Sequence, residues 1–238
     1  MLKMRFLLLL ILCPALLSAI ANYKAGDKLF VLSTSGLALR EKPDPAGAKM
    51  QTLKNGAPVV VQKEDLKKFA HTVVNEFKGY DLTGYWVKVK TWDNKTGYVF
   101  DGYLSKYQAP AKVILKDHVD PKYSVAEQYM MVHSKLKGNR AKLAKTKSGL
   151  EHYAQAFVNG AVVEVDKGKD NTTYKIKFDR STTIEEAYLI GKALWLEGSP
   201  AQSTFIDGLI LLTNQKETKQ ATIELKNKVV VLTMMIAD

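Results

Sequence analysis

The runs Gly84-Tyr85-Trp86-Val87-Lys88-Val89 and Gly97-Tyr98-Val99-Phe100, with the turn Asp93-Asn94-Lys95 between them, decide how the first half of this chain folds. Trp86 and Lys88 fall on one side of the first run, and Tyr85, Val87 and Val89 on the other. A period of two marks a half-buried strand, and the short polar turn predicts a hairpin. Upstream, Leu29 to Leu32 is another β-prone run, and Leu37 and Leu39 alternate with Ala38 and Arg40. Val59-Val60-Val61 follows the turn Asn55-Gly56, and Tyr103-Leu104 closes the set. Pro43, Asp44, Pro45 and Gly47 forbid regular structure where they stand. Short strands this closely spaced predict a small barrel. Leu66, Phe69, Ala70, Val73, Val74 and Phe77 recur mostly at helical spacing, which predicts an inserted helix near residues 65–77.

Five pieces in this order resemble a bacterial SH3-like domain over about residues 28–105. They are Leu37 to Pro43, Leu53 to Gly56, Val59 to Val61, Gly84 to Val89 and Gly97 to Leu104. Ala38 stands where the family has asparagine, Tyr98 replaces its final tryptophan, and the segment Asp65 to Thr83 is extra. The resemblance implies a binding module of the cell envelope that holds a wall peptide, a glycan or a protein. Tyr85, Trp86, Trp92, Tyr98 and Tyr103 are then the aromatic candidates for ligand contact, and Arg40 the candidate for an acidic group. Neighbours on a strand point to opposite faces, so about half of these aromatics are expected in the core.

The first 21 residues predict the compartment. Lys3 and Arg5 precede the apolar run Phe6 to Leu12, and Ala19-Ile20-Ala21 offers small residues for cleavage. That is the layout of a secretory signal peptide, so a periplasmic or secreted chain beginning near Asn22 is expected. The apolar run is shorter than the roughly 20 residues of a membrane span. Cys13 is the only cysteine; once the leader is cleaved, disulfides, thiol nucleophiles and cysteine metal ligands are excluded. The net charge of +11 becomes +9 without Lys3 and Arg5. Such an excess favours anionic partners, wall polymers and anionic membrane surfaces among them, and export argues against nucleic acid.

Residues 106–122 read as a linker with a short strand at Val113 to Leu115, and residues 123–238 as an α+β domain. Val125, Tyr129, Val132 and Leu136 lie on one face of a helix that Gly138-Asn139 stops. The basic run from Lys135 to Lys147 contains no acid, and is either a solvated segment or a peripheral contact with an anionic membrane surface. Tyr153 to Val158, Asn159-Gly160 and Ala161 to Val165 predict a hairpin with a type I′ turn. Tyr174, Ile176 and Phe178 add a third strand. Thr182 or Thr183 caps a helix with Glu185 and Glu186 in its first turn. Its stripe is Ala187, Ile190, Leu194 and Trp195, and Gly198-Ser199-Pro200 ends it. Leu209 to Leu212, Thr222 to Leu225 and Val229 to Met234 are further strands, the last two joined at Lys226-Asn227-Lys228. The fold class is a mainly β small barrel followed by an α+β domain with an antiparallel sheet.

No Gly-x-Ser-x-Gly elbow and no phosphate-binding glycine loop occurs. His71, His118, His133 and His152 lack metal-site spacing, so no metal or cofactor is expected and no catalytic residue is assigned. The leading expectation is an exported binding or scaffold protein. The alternatives are a wall hydrolase with its active site in residues 123–238, and a surface adaptor that pairs through edge strands. Oligomeric state is not legible.

Overall fold

The computed structural model describes residues 23–62, 69–77, 80–110, 122–143, 151–195, 201–206, 208–214 and 219–237. The leader, the strand expected at Val113 to Leu115, and the stop Gly198-Ser199-Pro200 lie outside these residues, as do the side chain of Trp195 and His118.

The first sheet is built from β1 (Lys28–Val31), β2 (Leu37–Arg40), β3 (Lys49–Leu53), β4 (Pro58–Val61), β5 (Ala70–Phe77), β6 (Tyr80–Thr91), β7 (Thr96–Phe100) and β8 (Leu104–Ser105). Its order is β3-β2-β7-β6-β4-β1-β8, with β5 added to β6. Every pair is antiparallel. The alternation seen in the sequence is what closes the core. Leu29, Val31, Leu37, Leu39, Val59, Val61, Val87, Val89 and Val99 all point inward and are buried. At roughly 1.5–3 kcal/mol for each large aliphatic side chain, this cluster dominates the stability of the barrel.

The inserted segment is not a helix where it is described. Ala70 to Phe77 is strand β5, paired with β6 from Ala70↔Tyr85 to Phe77↔Tyr80 and broken by a register shift after Val73. Phe69, Ala70, Val73, Val74 and Phe77 satisfy a helical spacing on paper. A long antiparallel partner pairs this segment along one edge instead, and β-branched Thr72, Val73 and Val74 favour the pleat.

The second sheet is a double meander. β9 (Ala141–Lys142), β10 (Glu151–Ala156), β11 (Val162–Lys167) and β12 (Asn171–Lys177) run out one way. After a helix, β13 (Ala201–Ile206), β14 (Leu209–Asn214), β15 (Lys219–Lys226) and β16 (Val229–Ala237) return, so that β16 lies beside β12. Two helices are described: α1 (Val125–His133) and α2 (Ile184–Trp195). Ser124 caps α1 through a reciprocal bond with Glu127. Ala187, Ile190 and Leu194 of α2 are buried in one cluster with Ile210, Leu212, Ile223 and Leu232 of the sheet. Gly191 permits the close approach, since a Cβ there would stand 2.8 Å from Leu232 Cδ1.

Residues 106–109 are not a free linker. Tyr107 and Ala109 are 2% and 1% exposed and sit in the same cluster as α1 and α2. The turn at Asn159-Gly160 also differs from expectation. Only Gly160 has positive φ, and Phe157 pairs with Ala161 across the three residues between them, with Gly160 N–H donating to Phe157 O. That is a type I turn closed by a left-handed glycine, the usual three-residue hairpin loop. The two-residue loop with both φ positive occurs at Asn227 (φ 51°) and Lys228 (φ 64°), between Lys226 and Val229. A lysine in the left-handed region costs roughly 1 kcal/mol. Lys228→Gly is therefore expected to raise stability by about 0.5 kcal/mol, read as a higher urea midpoint at unchanged slope.

Candidate ligand-binding surface of the barrel

The outward positions of β1, β4, β6, β7 and β2 form a wall. Lys28 is opposite Val60, and Val60 opposite Lys90. One step along, Lys88 is opposite Tyr98 and Tyr98 opposite Arg40. The wall positions on these five strands carry no acid; the acid on β6, exposed Asp81, lies near its start, beyond the segment that pairs with β4 and β7. The Lys28 ammonium lies 5.2 Å from the Phe30 ring centre and that of Lys88 5.7 Å from Tyr98. Val60 is 38% exposed between its two lysines. The wall thus combines cations with apolar and aromatic surface, which suits an anionic ligand with an apolar face.

β5 settles how much of this wall is open. Burial along β6 changes parity: Leu82, Gly84 and Trp86 are buried, and then Val87, Val89 and Thr91. The first set faces outward, yet β5 and the turn after β7 cover it. The His71 ring lies 5.6 Å from Trp86 and 5.1 Å from Phe100, and Tyr103 meets Phe100 edge-on at 5.6 Å. Phe69 reaches the margin and touches Tyr98 edge-on at 6.4 Å. The insertion covers the Trp86–Phe100 half of the wall and leaves the row Lys88–Tyr98–Arg40 at its border.

The six residues singled out from the sequence therefore do not make one groove. Arg40 and Tyr98 are register partners, and Arg40 Nη1 donates to Gly47 O at 2.6 Å. Trp86 is core, at 6% exposed. Tyr103 is half-buried and donates to Glu76 at 2.5 Å. The Tyr85 backbone N–H donates to Asp101 Oδ1 at 2.7 Å, and Tyr23 donates to its other oxygen at 2.5 Å. Burial of Asp101 outweighs these donors and raises its carboxyl to about 6. Trp92, 75% exposed, stands alone at the tip of the β6–β7 hairpin. Lys28, Lys88 and Lys90 were missed; the alternation that buries Val87 and Val89 also sends Lys88 and Lys90 outward, so the signal was present.

One cluster has the composition of a hydrolytic site. Lys106, Tyr107, His133, Asp179 and Ser181 line a cavity of about 420 Å³. Its wiring is that of a clasp. Ser181 uses its N–H and its hydroxyl on the same oxygen, Asp179 Oδ1, as in an ordinary Asx turn. Lys106 lies 2.9 Å from that oxygen and donates to Ser181 Oγ, and Tyr107 donates to Asp179 Oδ2 at 2.7 Å. Partial burial favours the neutral acid, but the donors from Ser181, Lys106 and Tyr107 outweigh it and hold Asp179 at about 2. The Ser181 hydroxyl thus donates to a carboxylate already held by Lys106 and Tyr107, and accepts from the Lys106 ammonium. His133 packs against the rings of Tyr107 and Tyr129 at 5.1 and 4.9 Å, and its Nε2 is buried without a partner. His133 and His152 line different cavities. Among the described residues no group of three or more metal-ligating side chains is gathered.

Residues 35–105 match the family of the bacterial SH3 domain. No curated protein and no solved structure matches the chain. The match runs from the approach to β2 through β8 and takes in the β5–β6 hairpin.

Burial lowers His133 from 6.5 to about 4. The unfolded chain binds a proton there first, so this histidine removes stability as pH falls from about 6.5 toward 4. Tyr107, Tyr129, Lys106, Asn159, Asp179 and Ser181 surround it. His133→Phe keeps the ring contacts and removes the titration. The stability lost between pH 7 and pH 4.5 should be smaller in this variant by about 1–2 kcal/mol, after a discount for partial exposure, in urea melts at both pH values.

Proposed function

We propose, from the bacterial SH3 domain at residues 35–105, that this is an exported envelope-associated binding protein whose barrel holds an anionic wall or surface component. The observation that carries the reading is the wall of Lys28, Lys90, Lys88 and Arg40, interleaved with Val60 and Tyr98 and with no acid in these rows. The ligand contributes negative charge, and the aromatic and aliphatic groups contribute contact area. A binding role rather than catalysis is supported by the second domain, where an apolar interface fills the space between α2 and the sheet. It is also supported by the clasp wiring of the serine–lysine–aspartate cluster.

Co-sedimentation with purified cell-wall sacculi tests this. The protein should pellet at low salt and be released as salt rises. Lys88→Glu with Lys90→Glu should weaken retention by about tenfold or more at unchanged thermal stability, since both side chains reach outward. Trp86→Ala should instead unfold the barrel, at a cost of about 3–5 kcal/mol. Equal retention of the double-glutamate variant would remove the wall from the proposal.

Export is the second part of the reading, and it rests on Lys3, Arg5, the apolar run to Leu12 and Ala19-Ile20-Ala21. Intact-mass measurement of the protein recovered from a bacterial periplasm or medium should give a chain that begins at Asn22. A recovered chain that keeps Cys13 would contradict it.

A further inference from the structure

The basic run after α1 found no role in the barrel. Where it is described it is not a surface helix. Residues 136–142 form a bridge to Phe157, a turn and the short edge strand β9. This path carries Arg140 and Lys142 into a cleft of about 670 Å³ between the start of α1 and the end of the second sheet. That volume falls within the ~300–1,000 Å³ of sites that bury small ligands.

Tyrosines and lysines dominate the cleft. Tyr153 and Tyr174 are both register partners of buried Val165, so the two rings share one face of the sheet on either side of it. Tyr123, just before α1, supplies the opposite wall. The Arg140 guanidinium lies between Tyr123 and Tyr153, 4.7 and 4.6 Å from their ring centres. Two 2.8 Å bonds to Glu127 hold it there, and Glu127 is itself fully buried and tied to Ser124 at the helix cap. The aromatic wall is therefore fixed before any ligand arrives, which lowers the cost of ordering it on binding. Glu127 consumes the charge of Arg140. Lys142 and Lys167 also line the cleft, and among the described lining residues the one acid, Glu151, is the register partner of Lys167.

We propose that this cleft is a second ligand site, specific for an anionic saccharide: a sugar ring bearing a carboxylate or phosphate group. The apolar face of the ring stacks on the tyrosines, its hydroxyls meet phenol groups, and its charge meets Lys142 and Lys167. An acyl chain offers no charge to Lys142 and Lys167, which disfavours a lipid tail. The site is independent of the barrel wall and stands whether or not that wall binds anything.

Isothermal titration of the intact protein with three probes decides it: a uronic-acid disaccharide, its carboxyl-reduced neutral counterpart, and a sugar phosphate. Either acidic sugar should bind with an affinity about tenfold or more above the neutral disaccharide, and salt should weaken the binding. The stronger of the two identifies the charged group. Lys142→Glu with Lys167→Glu should abolish the heat without shifting the melting temperature, and Tyr123→Ala should weaken binding severalfold. Lys88→Glu with Lys90→Glu, on the barrel, should leave it unchanged. The proposal is overturned by equal binding of the neutral disaccharide, by inorganic phosphate binding as tightly as the sugar phosphate, or by an acidic peptide binding where neither sugar does. An unaltered titration in the Lys142/Lys167 variant overturns it too.

Discussion

The first turn of α2 is the constraint on which the arrangement of the two sheets depends. Thr183 and Glu186 cap each other's backbone N–H, at 3.1 and 3.0 Å. Glu186 is buried, which raises its carboxyl above the ordinary range, and it accepts the Ser105 hydroxyl at 2.9 Å from the last strand of the barrel. Glu185, beside it, accepts the Tyr80 hydroxyl from the start of β6. A buried carboxylate without partners would be costly, so the barrel supplies donors that the helix end requires. The clasp of Lys106 and Tyr107 on Asp179 anchors the same junction one turn earlier in the chain.

Much of this was legible. The strands around Leu39, Val59, Val87 and Val99 follow from alternation, because one buried face imposes a period of two. Six of the second sheet's described strands, β10 to β12 and β14 to β16, and α2 follow from turn residues and a capping threonine, whereas β9 and β13 carried no such signal. What failed has physical causes. Residues 70–77 match a helical spacing, and only the presence of a long partner, β6, decides for a strand. Asn159-Gly160 names a turn but not its type, which depends on how many residues the strands leave unpaired. Glu185 and Glu186 were read as dipole partners alone; their donors come from residues about 80 and 105 positions away in the chain, beyond any local signal.

The candidate surfaces divide the same way. The lysines of the barrel wall sit at predictable outward positions. The cleft of the second domain draws Tyr123, Arg140, Tyr153 and Tyr174 from four separate segments. Arg140 looked like one more charge in a basic run, and it is instead the spacer that holds two rings apart.

The junction also bears on where the barrel ends. The family match stops at residue 105, directly before the clasp. Leu32, although on the barrel side, is 2% exposed and belongs to the core of the second sheet, with Tyr80 and Tyr103 packed against it. A fragment cut at the family boundary would uncover this apolar seam and strip the phenol of Tyr80 of its acceptor. Shuffling this barrel onto another protein would thus require the recipient to bring its own cover for the seam, so its evolution as an interchangeable cassette is constrained at that edge.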